Sequence, residues 1–408
     1  MPSTVDWSSL THAYGTAEDV PRNIAALRSD DAEVRYEALG ELFNSIVHQG
    51  TRYPASAYAV PLLLDLLADP SVPDRAFIGQ LVALIAIGGD EAWLPELLPI
   101  EDLRLEAIGG EEVMARLLRE GWDGLSIDEA AKVDALAEER AYDAVAAGLP
   151  LLRRLAARPA AVAFAAEGPN VLAGATPLGA LPDDDGVALV AAYTIGWFPD
   201  DDPDVSLAAL DALAAVGDEA ETAAAVVAAG LLGAAGSERM AARALVDERP
   251  VVRWAGAIAA AKLDGPRSGD RVAAELLHWA GGGSAPDVRM PYLDGDLAGY
   301  AALALRQLGR EHDTAAFNAF LARLPQVQGS PALTIAGEAL RLACPHGPVH
   351  EGTSFAELDD RQQRLAQVLA AAPGPWLWDD TRFGNFSMLL GEYGFPDSPE
   401  AMREFVSP

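Results

Sequence analysis

Asp31-Ala32-Glu33-Val34-Arg35-Tyr36-Glu37-Ala38-Leu39 opens the stretch that decides how this chain folds. From Asp30 to His48, apolar side chains fall at Val34, Ala38, Leu42 and Ile46, with Leu39 and Phe43 beside them. That spacing draws one stripe along a helix of 3.6 residues per turn. Asp30 or Asp31 can cap its start, and Gly50 stands where a stop is expected. The next segments repeat the pattern. Ala59 to Ala68 places Val60, Leu63, Leu64 and Leu67 inside, with Pro61 read into its first turn, where a missing N–H costs nothing. Arg75 to Ile87 buries Phe77, Leu81, Leu84 and Ile85 and stops at Gly88-Gly89. Alternating β-branched runs are scarce, so a sheet is not expected.

Working outward, the opening motif recurs. Variants stand at Asp204-Val205-Ser206-Leu207-Ala208-Ala209-Leu210, at Pro250-Val251-Val252-Arg253-Trp254-Ala255-Gly256-Ala257 and, more weakly, at Asp296-Leu297-Ala298-Gly299-Tyr300-Ala301. Val205, Val252 and Leu297 are equivalent and lie 47 and 45 residues apart, and Ala76 follows Val34 at 42. A period of ~40–47 residues built from two helices is the signature of a HEAT or armadillo array. The expected fold is therefore all-α, a right-handed α-solenoid of roughly six to eight HEAT-like helical pairs. Trp254 and Ala257 are expected in its core.

The chain resembles the HEAT-repeat proteins at these residues: Asp31, Val34, Arg35, Ala38 and Leu39, and again Val252, Arg253 and Ala257. The resemblance implies that the arginine pairs with an acidic residue of a neighbouring repeat. Ser206 and Ala298 replace it, so that ladder is expected to be broken there. His48-Gln49-Gly50-Thr51-Arg52-Tyr53-Pro54-Ala55-Ser56-Ala57, followed by Val60-Pro61-Leu62-Leu63, is similar to uncharacterised bacterial HEAT-like proteins. The likeness covers about three quarters of the chain and specifies a fold rather than an activity.

Two regions leave the repeat. Glu91 to Glu139 reads as an irregular acidic insertion leading into a helix that Ser126 and Glu129 cap. Ser354 and Glu357 form another capping box. Beyond Pro373-Gly374-Pro375, Trp376, Trp378, Phe383, Phe386, Tyr393, Phe395 and Phe405 read as a terminal cap, with both tryptophans on the preceding helix near Leu365 and Leu369. The resulting segments are N-terminal repeats over 1–90, insertion and linker helix over 91–140, central repeats over 141–350, and C-terminal helix and aromatic cap over 351–408.

Composition limits the partners. Of 408 residues, 61 are acidic and 29 basic, a net charge of −32. Nucleic acid and anionic membrane surfaces are disfavoured, because both draw on cationic side chains. The densest basic spot is Arg153, Arg154 and Arg158. A protein partner is expected, and the charge favours a basic one. One cysteine, Cys344, fits a reducing cytoplasm, and the N-terminus lacks the basic and apolar regions of a signal peptide. Thr222 to Ser237, the longest uncharged stretch, is shorter than a membrane span. Lys132 and Lys262 are the only lysines; with so much alanine this suggests a GC-rich bacterial genome.

Candidate chemistry is thin. Cys344, His346 and His350, with Glu351 adjacent, are zinc-type donors in a proline- and glycine-rich loop that lacks a second pair. Glu275-Leu276-Leu277-His278 is half of a di-iron motif. Asp183-Asp184-Asp185 and Asp200-Asp201-Asp202-Pro203-Asp204 fail the calcium-loop pattern, with Val205 at position six and Asp211 at position twelve, and are expected to cap helices. His48 is expected at a helix C-terminus or under its loop. No phosphate-loop, zincin or nucleophile-elbow motif occurs. No cofactor, metal or catalytic residue is assigned. The expected role is a non-catalytic scaffold or adaptor binding a partner on the concave face, with Asp200, Asp201 and Asp202 as possible partner-binding residues. An immunity or antitoxin-like role against a basic toxin is the alternative. A HEAT-like lyase or DNA glycosylase is the catalytic one.

Overall fold

The structure, a computed structural model, describes residues 5–120, 125–157, 186–283 and 288–407. It is 70% helix and 3% strand. Contacts divide the chain into two compact units, Met1–Met240 with Arg289–Asp294, and Ala241–Val288 with Gly295–Pro408.

The first unit opens with α1 (Val20–Ala26), α2 (Ala32–Ile46), α3 (Pro54–Ala68) and α4 (Arg75–Ile87). It continues through α5 (Ile100–Glu106), α6 (Gly110–Glu120), α7 (Ile127–Ala146), α8 (Leu149–Ala156), α9 (Gly186–Ile195), α10 (Pro203–Val216) and α11 (Glu219–Leu232). Helix α12 (Ser237–Ala244) follows. Hairpins β1 (Thr11–His12) with β2 (Gly15–Thr16) and β3 (Val47–His48) with β4 (Thr51–Arg52) precede α1 and α3.

Asp31 caps α2 by accepting from the Glu33 amide at 2.9 Å. Ala38, Leu39, Leu42 and Ile46 are buried as their spacing requires, but Val34 in the first turn stays 40% exposed. Helix α3 begins at Pro54, five residues before the expected start, because Ser56 both accepts from the Tyr53 amide (2.8 Å) and donates to the Ile46 carbonyl (2.6 Å). Pro61 is therefore inside the helix rather than in its first turn. It lies on the exposed face, where water can reach the carbonyl it leaves unpaired. The acidic insertion is more regular than expected: α5 and α6 pack on α7 around Val113, Met114, Leu117, Val133 and Leu136. Ser126 and Glu129 form the anticipated capping box.

Helix α4 is buried at every position but Leu84, α9 at every position, and α11 at all but its first two. A helix that is apolar all round belongs inside. Helix α9 packs on both α4 and α11, and these three form an inner layer. Helices α3 and α7 cover α4, α8 covers α9, and α10 covers α11. Close approach needs small residues here. A Cβ on Gly196 would lie 2.9 Å from the Ala228 Cα.

The motif arginines share one geometry. Arg35 donates to the carbonyls of Ser29 (2.9 Å) and Asp30 (3.3 Å) and pairs with Asp74 at 2.6 Å. Arg253 donates to the equivalent carbonyls of Asp247 (3.0 Å) and Glu248 (2.9 Å), with Glu275 at 3.8 Å. At the Ser206 copy, Arg153 of α8 fills the gap. Its Nε donates to the Ser206 hydroxyl at 3.0 Å and its Nη2 to the Asp201 carbonyl.

Residues 289–294 belong to the first unit although second-unit sequence flanks them. Tyr292 is fully buried, edge-on to Tyr193 at 4.9 Å, and its hydroxyl donates to the Ala224 carbonyl at 3.3 Å. Leu293 and Asp294 both adopt left-handed backbone angles (φ 47° and 51°).

The second unit contains α13 (Pro250–Asp264), α14 (Gly269–Ala280), α15 (Leu297–Ala304), α16 (Asp313–Arg323), α17 (Ser330–Ala343) and α18 (Asp360–Ala371). Hairpin β5 (Leu377–Trp378) with β6 (Thr381–Arg382), then α19 (Gly384–Glu392) and α20 (Pro399–Val406), complete it. Helices α13, α15 and α17 pack in sequence, with α14 and α16 beside them. Trp254 and Ala257 are fully buried; the indole donates to the Leu297 carbonyl at 2.9 Å and meets Tyr300 edge-on at 5.7 Å. The C-terminal expectation holds for one tryptophan only. Trp376 is 2% exposed and donates to the Leu369 carbonyl at 3.0 Å. Trp378 is 42% exposed and rests on Phe383, because it lies on the surface hairpin rather than against α18.

Candidate functional site

The turn before α10 carries the acidic residues singled out from the sequence. Asp200 and Asp202 are exposed and Asp201 is half-buried. They do not cap as expected. Asp202 occupies the N-cap position but is left-handed (φ 45°), and its side chain makes no cap hydrogen bond. The turn is fixed from behind, since Arg153 engages the Asp201 carbonyl and the Ser206 hydroxyl. Among the described residues, no ion pair involves the carboxylates of Asp200, Asp201 or Asp202. Three carboxylates on an anchored turn, with Asp204 and Val205 exposed beside them, form an acidic, partly apolar surface. Asp183, Asp184, Asp185 and Arg158 lie outside the described residues.

The zinc-type loop does not gather its donors. Cys344 is buried at the end of α17, accepts from the Gln362 amide at 3.8 Å, and has its thiol pKa pushed up by burial. His346 and His350 are exposed. Among the described residues, no group of three or more His, Cys, Asp or Glu side chains is arranged to hold a metal ion. Glu275 accepts from the Trp279 indole at 2.9 Å, while His278 is exposed.

The remaining histidines belong to the β1–β2 and β3–β4 hairpins or stand apart. The Tyr14 amide donates to His12 Nδ1 at 3.0 Å, so Nε2 carries the proton and donates to Asp19 at 2.9 Å. Both ring nitrogens are engaged, which leaves no free base. His48 sits in its hairpin with Nδ1 3.3 Å from the Tyr14 hydroxyl. Arg52, 3% exposed at the next strand, pairs with Glu138 of α7 at 2.8 Å. Burial lowers the Arg52 pKa and raises that of Glu138.

Sequence reasoning missed the buried acids. Glu338 is fully buried and pairs with Arg306 and with Arg341 (3.0 Å). Glu221 closes the α11 capping box, accepting from the Asp218 amide at 3.0 Å. Asp90, 5% exposed, accepts from the Leu293 amide at 3.0 and 3.3 Å and from the Tyr193 hydroxyl. Burial first, then Glu91 and Asp294, raise it to about 8. Each of these acids is occupied by a structural partner, and none lines an open cleft. No sequence signal marks Asp90, whose partner Leu293 is 203 residues away.

No helix among the described residues is long and apolar enough to cross a membrane. No family model matches the chain, and no curated protein matches it. Among solved structures, an engineered protein shares 18% identity over 95% of this chain and 89% of its own, with a TM-score of 0.32. A likeness at that level carries no argument about fold or role.

Proposed function

We propose that the chain is a HEAT-like, right-handed α-solenoid that acts as a non-catalytic binding module for a basic protein partner. The shared guanidinium geometry of Arg35, Arg253 and the substituting Arg153 supports the repeat reading. The observation that carries the binding reading is the α10 turn. Arg153 there holds a backbone carbonyl and a hydroxyl, Asp200 and Asp202 are exposed, Asp201 is half-buried, and none of the three carboxylates forms an ion pair among the described residues. With a net charge of −32, such a surface speeds encounter with cations more than it lengthens their stay. The contact is better placed there than on α4, α9 or α11, whose faces are buried. A reducing cytoplasm suits the single cysteine.

Affinity capture from the native host, with the full chain as bait, tests this reading when run in low and high salt. The D200N/D201N/D202N triple variant should slow association with the captured protein and flatten its salt dependence. A partner bound equally by both baits at all salt concentrations would make the charge a solubility feature.

A further inference from the structure

The loops joining α17 to α18 and α19 to α20 lie side by side in the second unit and border an open, shallow cleft of about 520 Å³. Pro348, Glu351, Glu392, Phe395, Pro396 and Phe405 give it its chemistry. The two loops are locked together. The Val349 amide donates to the Tyr393 carbonyl at 3.0 Å, and Gly394 (φ 76°) presses so closely on Val349 that a Cβ there would lie 2.2 Å from its carbonyl oxygen. Phe395 is buried beneath, and the half-buried Phe405 meets Phe355 edge-on at 6.0 Å. Glu351 and Glu392 are exposed at the rim and form no ion pair among the described residues.

The exposed Pro348 and the half-buried Pro396 and Phe405 offer apolar surface, and the exposed Glu351 and Glu392 line the same cleft, a combination that matches a flat cation on an apolar stem. Arginine fits that description better than lysine. Its guanidinium is weakly hydrated, lies on aromatic faces and forks onto carboxylates, whereas the ammonium holds its water. The volume is that of a site for a side chain and its flanking residues rather than a bare ion. We propose that this cleft receives an arginine side chain presented by an extended segment of a basic protein. The inference rests on the basic-partner reading above and adds the residue type and the place where it is read. It can fail separately, since the cleft belongs to the second unit and Asp200–Asp202 to the first.

The test uses the full chain and the fluorescein-labelled peptide Gly-Arg-Pro-Arg-Gly, with lysine and citrulline versions, read by fluorescence anisotropy at low salt. Citrulline keeps the shape of arginine and removes its charge. The arginine peptide should bind about fivefold or more tighter than the lysine peptide, and the citrulline peptide should not bind at all. E351Q/E392Q should weaken binding about tenfold, the loss of two charge-assisted contacts. Phe405→Ala should weaken it as well; the glutamate variants, both at exposed positions, keep the test decisive if that change unfolds the tail. D200N/D201N/D202N should leave peptide affinity within about twofold. Equal binding of arginine and lysine peptides, no binding up to about 1 mM, or an unaffected E351Q/E392Q variant overturns the cleft assignment. If the triple aspartate variant loses as much as the cleft variant, general acidity binds the peptide. The cleft proposal then falls while the basic-partner reading stands.

Discussion

Asp90→Asn offers the sharpest check on the core of the first unit. The Asp90 carboxyl is enclosed, faces the Leu293 amide and the Tyr193 hydroxyl, and lies near Glu91 and Asp294; among the described residues it forms no ion pair with a cation. Its pKa rises from 3.8 to about 8. Between those values the folded chain keeps a proton that the unfolded chain releases. Stability from this group is complete below the unfolded value, falls as pH climbs, and levels off above the folded one. Each pH unit inside the window costs up to about 1.4 kcal/mol, so the interval from about pH 5 to 7 costs roughly 2.7 kcal/mol. For a unit of this size that is about 5–10 °C in Tm. Asparagine keeps an oxygen for the Leu293 amide, offers its NH2 to the Tyr193 oxygen, and has no proton to lose. Glu91 and Asp294 remain in both proteins. Glu129, held at about 2 chiefly by Arg116, is ionised in both states across the window and cancels. Urea unfolding of wild type and D90N at several pH values should show the wild type losing stability with rising pH while the variant stays flatter by about one proton. Parallel curves for the two proteins would refute the assignment of a neutral, enclosed Asp90.

Three further outcomes follow from the packing. Ala257→Asp places a charge in a fully buried helix face and should destabilise the second unit by about 2 kcal/mol or more, seen as a lowered melting temperature. Trp376→Ala should cost about 3–5 kcal/mol because it empties a buried site, whereas Trp378→Ala, on the exposed hairpin, should cost less than about 1 kcal/mol; chemical denaturation of the two variants measures the contrast. Arg153→Ala removes the donor that holds the Asp201 carbonyl and Ser206 hydroxyl, so it should cost about 1–3 kcal/mol and speed amide exchange in the Asp200–Ser206 turn.

The helices were legible where one face sets the pattern. The stripe from Ala38 to Ile46 and the burial of Trp254 and Ala257 follow from spacing alone. Spacing failed where a neighbour decides. Val252 is 1% exposed, yet Val34 and Val205 in the same motif slot are 40% and 55% exposed. The slot fixes a direction from the helix axis, not whether another helix stands there to receive it. Pro61 misled for a related reason, since a proline is tolerated in a first turn and also on a solvated face farther along. The arginine-type cleft was invisible because it joins two loops some 40 residues apart, each unremarkable by composition.

Arg153 shows most directly what a linear motif leaves out. Read as sequence, the Ser206 copy lacks its arginine, and Arg153 with Arg154 is a minor basic spot. In the fold, the guanidinium of Arg153 occupies the place the missing arginine would hold. It reaches the carbonyl five residues before Ser206, as Arg35 reaches the carbonyl five residues before itself. The turn requires a donor at that point, because its carbonyl would otherwise lie half-enclosed without a partner. The chain position of the donor is immaterial to that requirement. Arg35 also pairs with Asp74, at the N-terminal end of α4. Arg153 comes from behind and has no carboxylate partner among its described hydrogen bonds. Supplying the arginine from another helix satisfies the backbone and leaves Asp200 and Asp202 exposed, the arrangement that the proposed acidic docking surface requires.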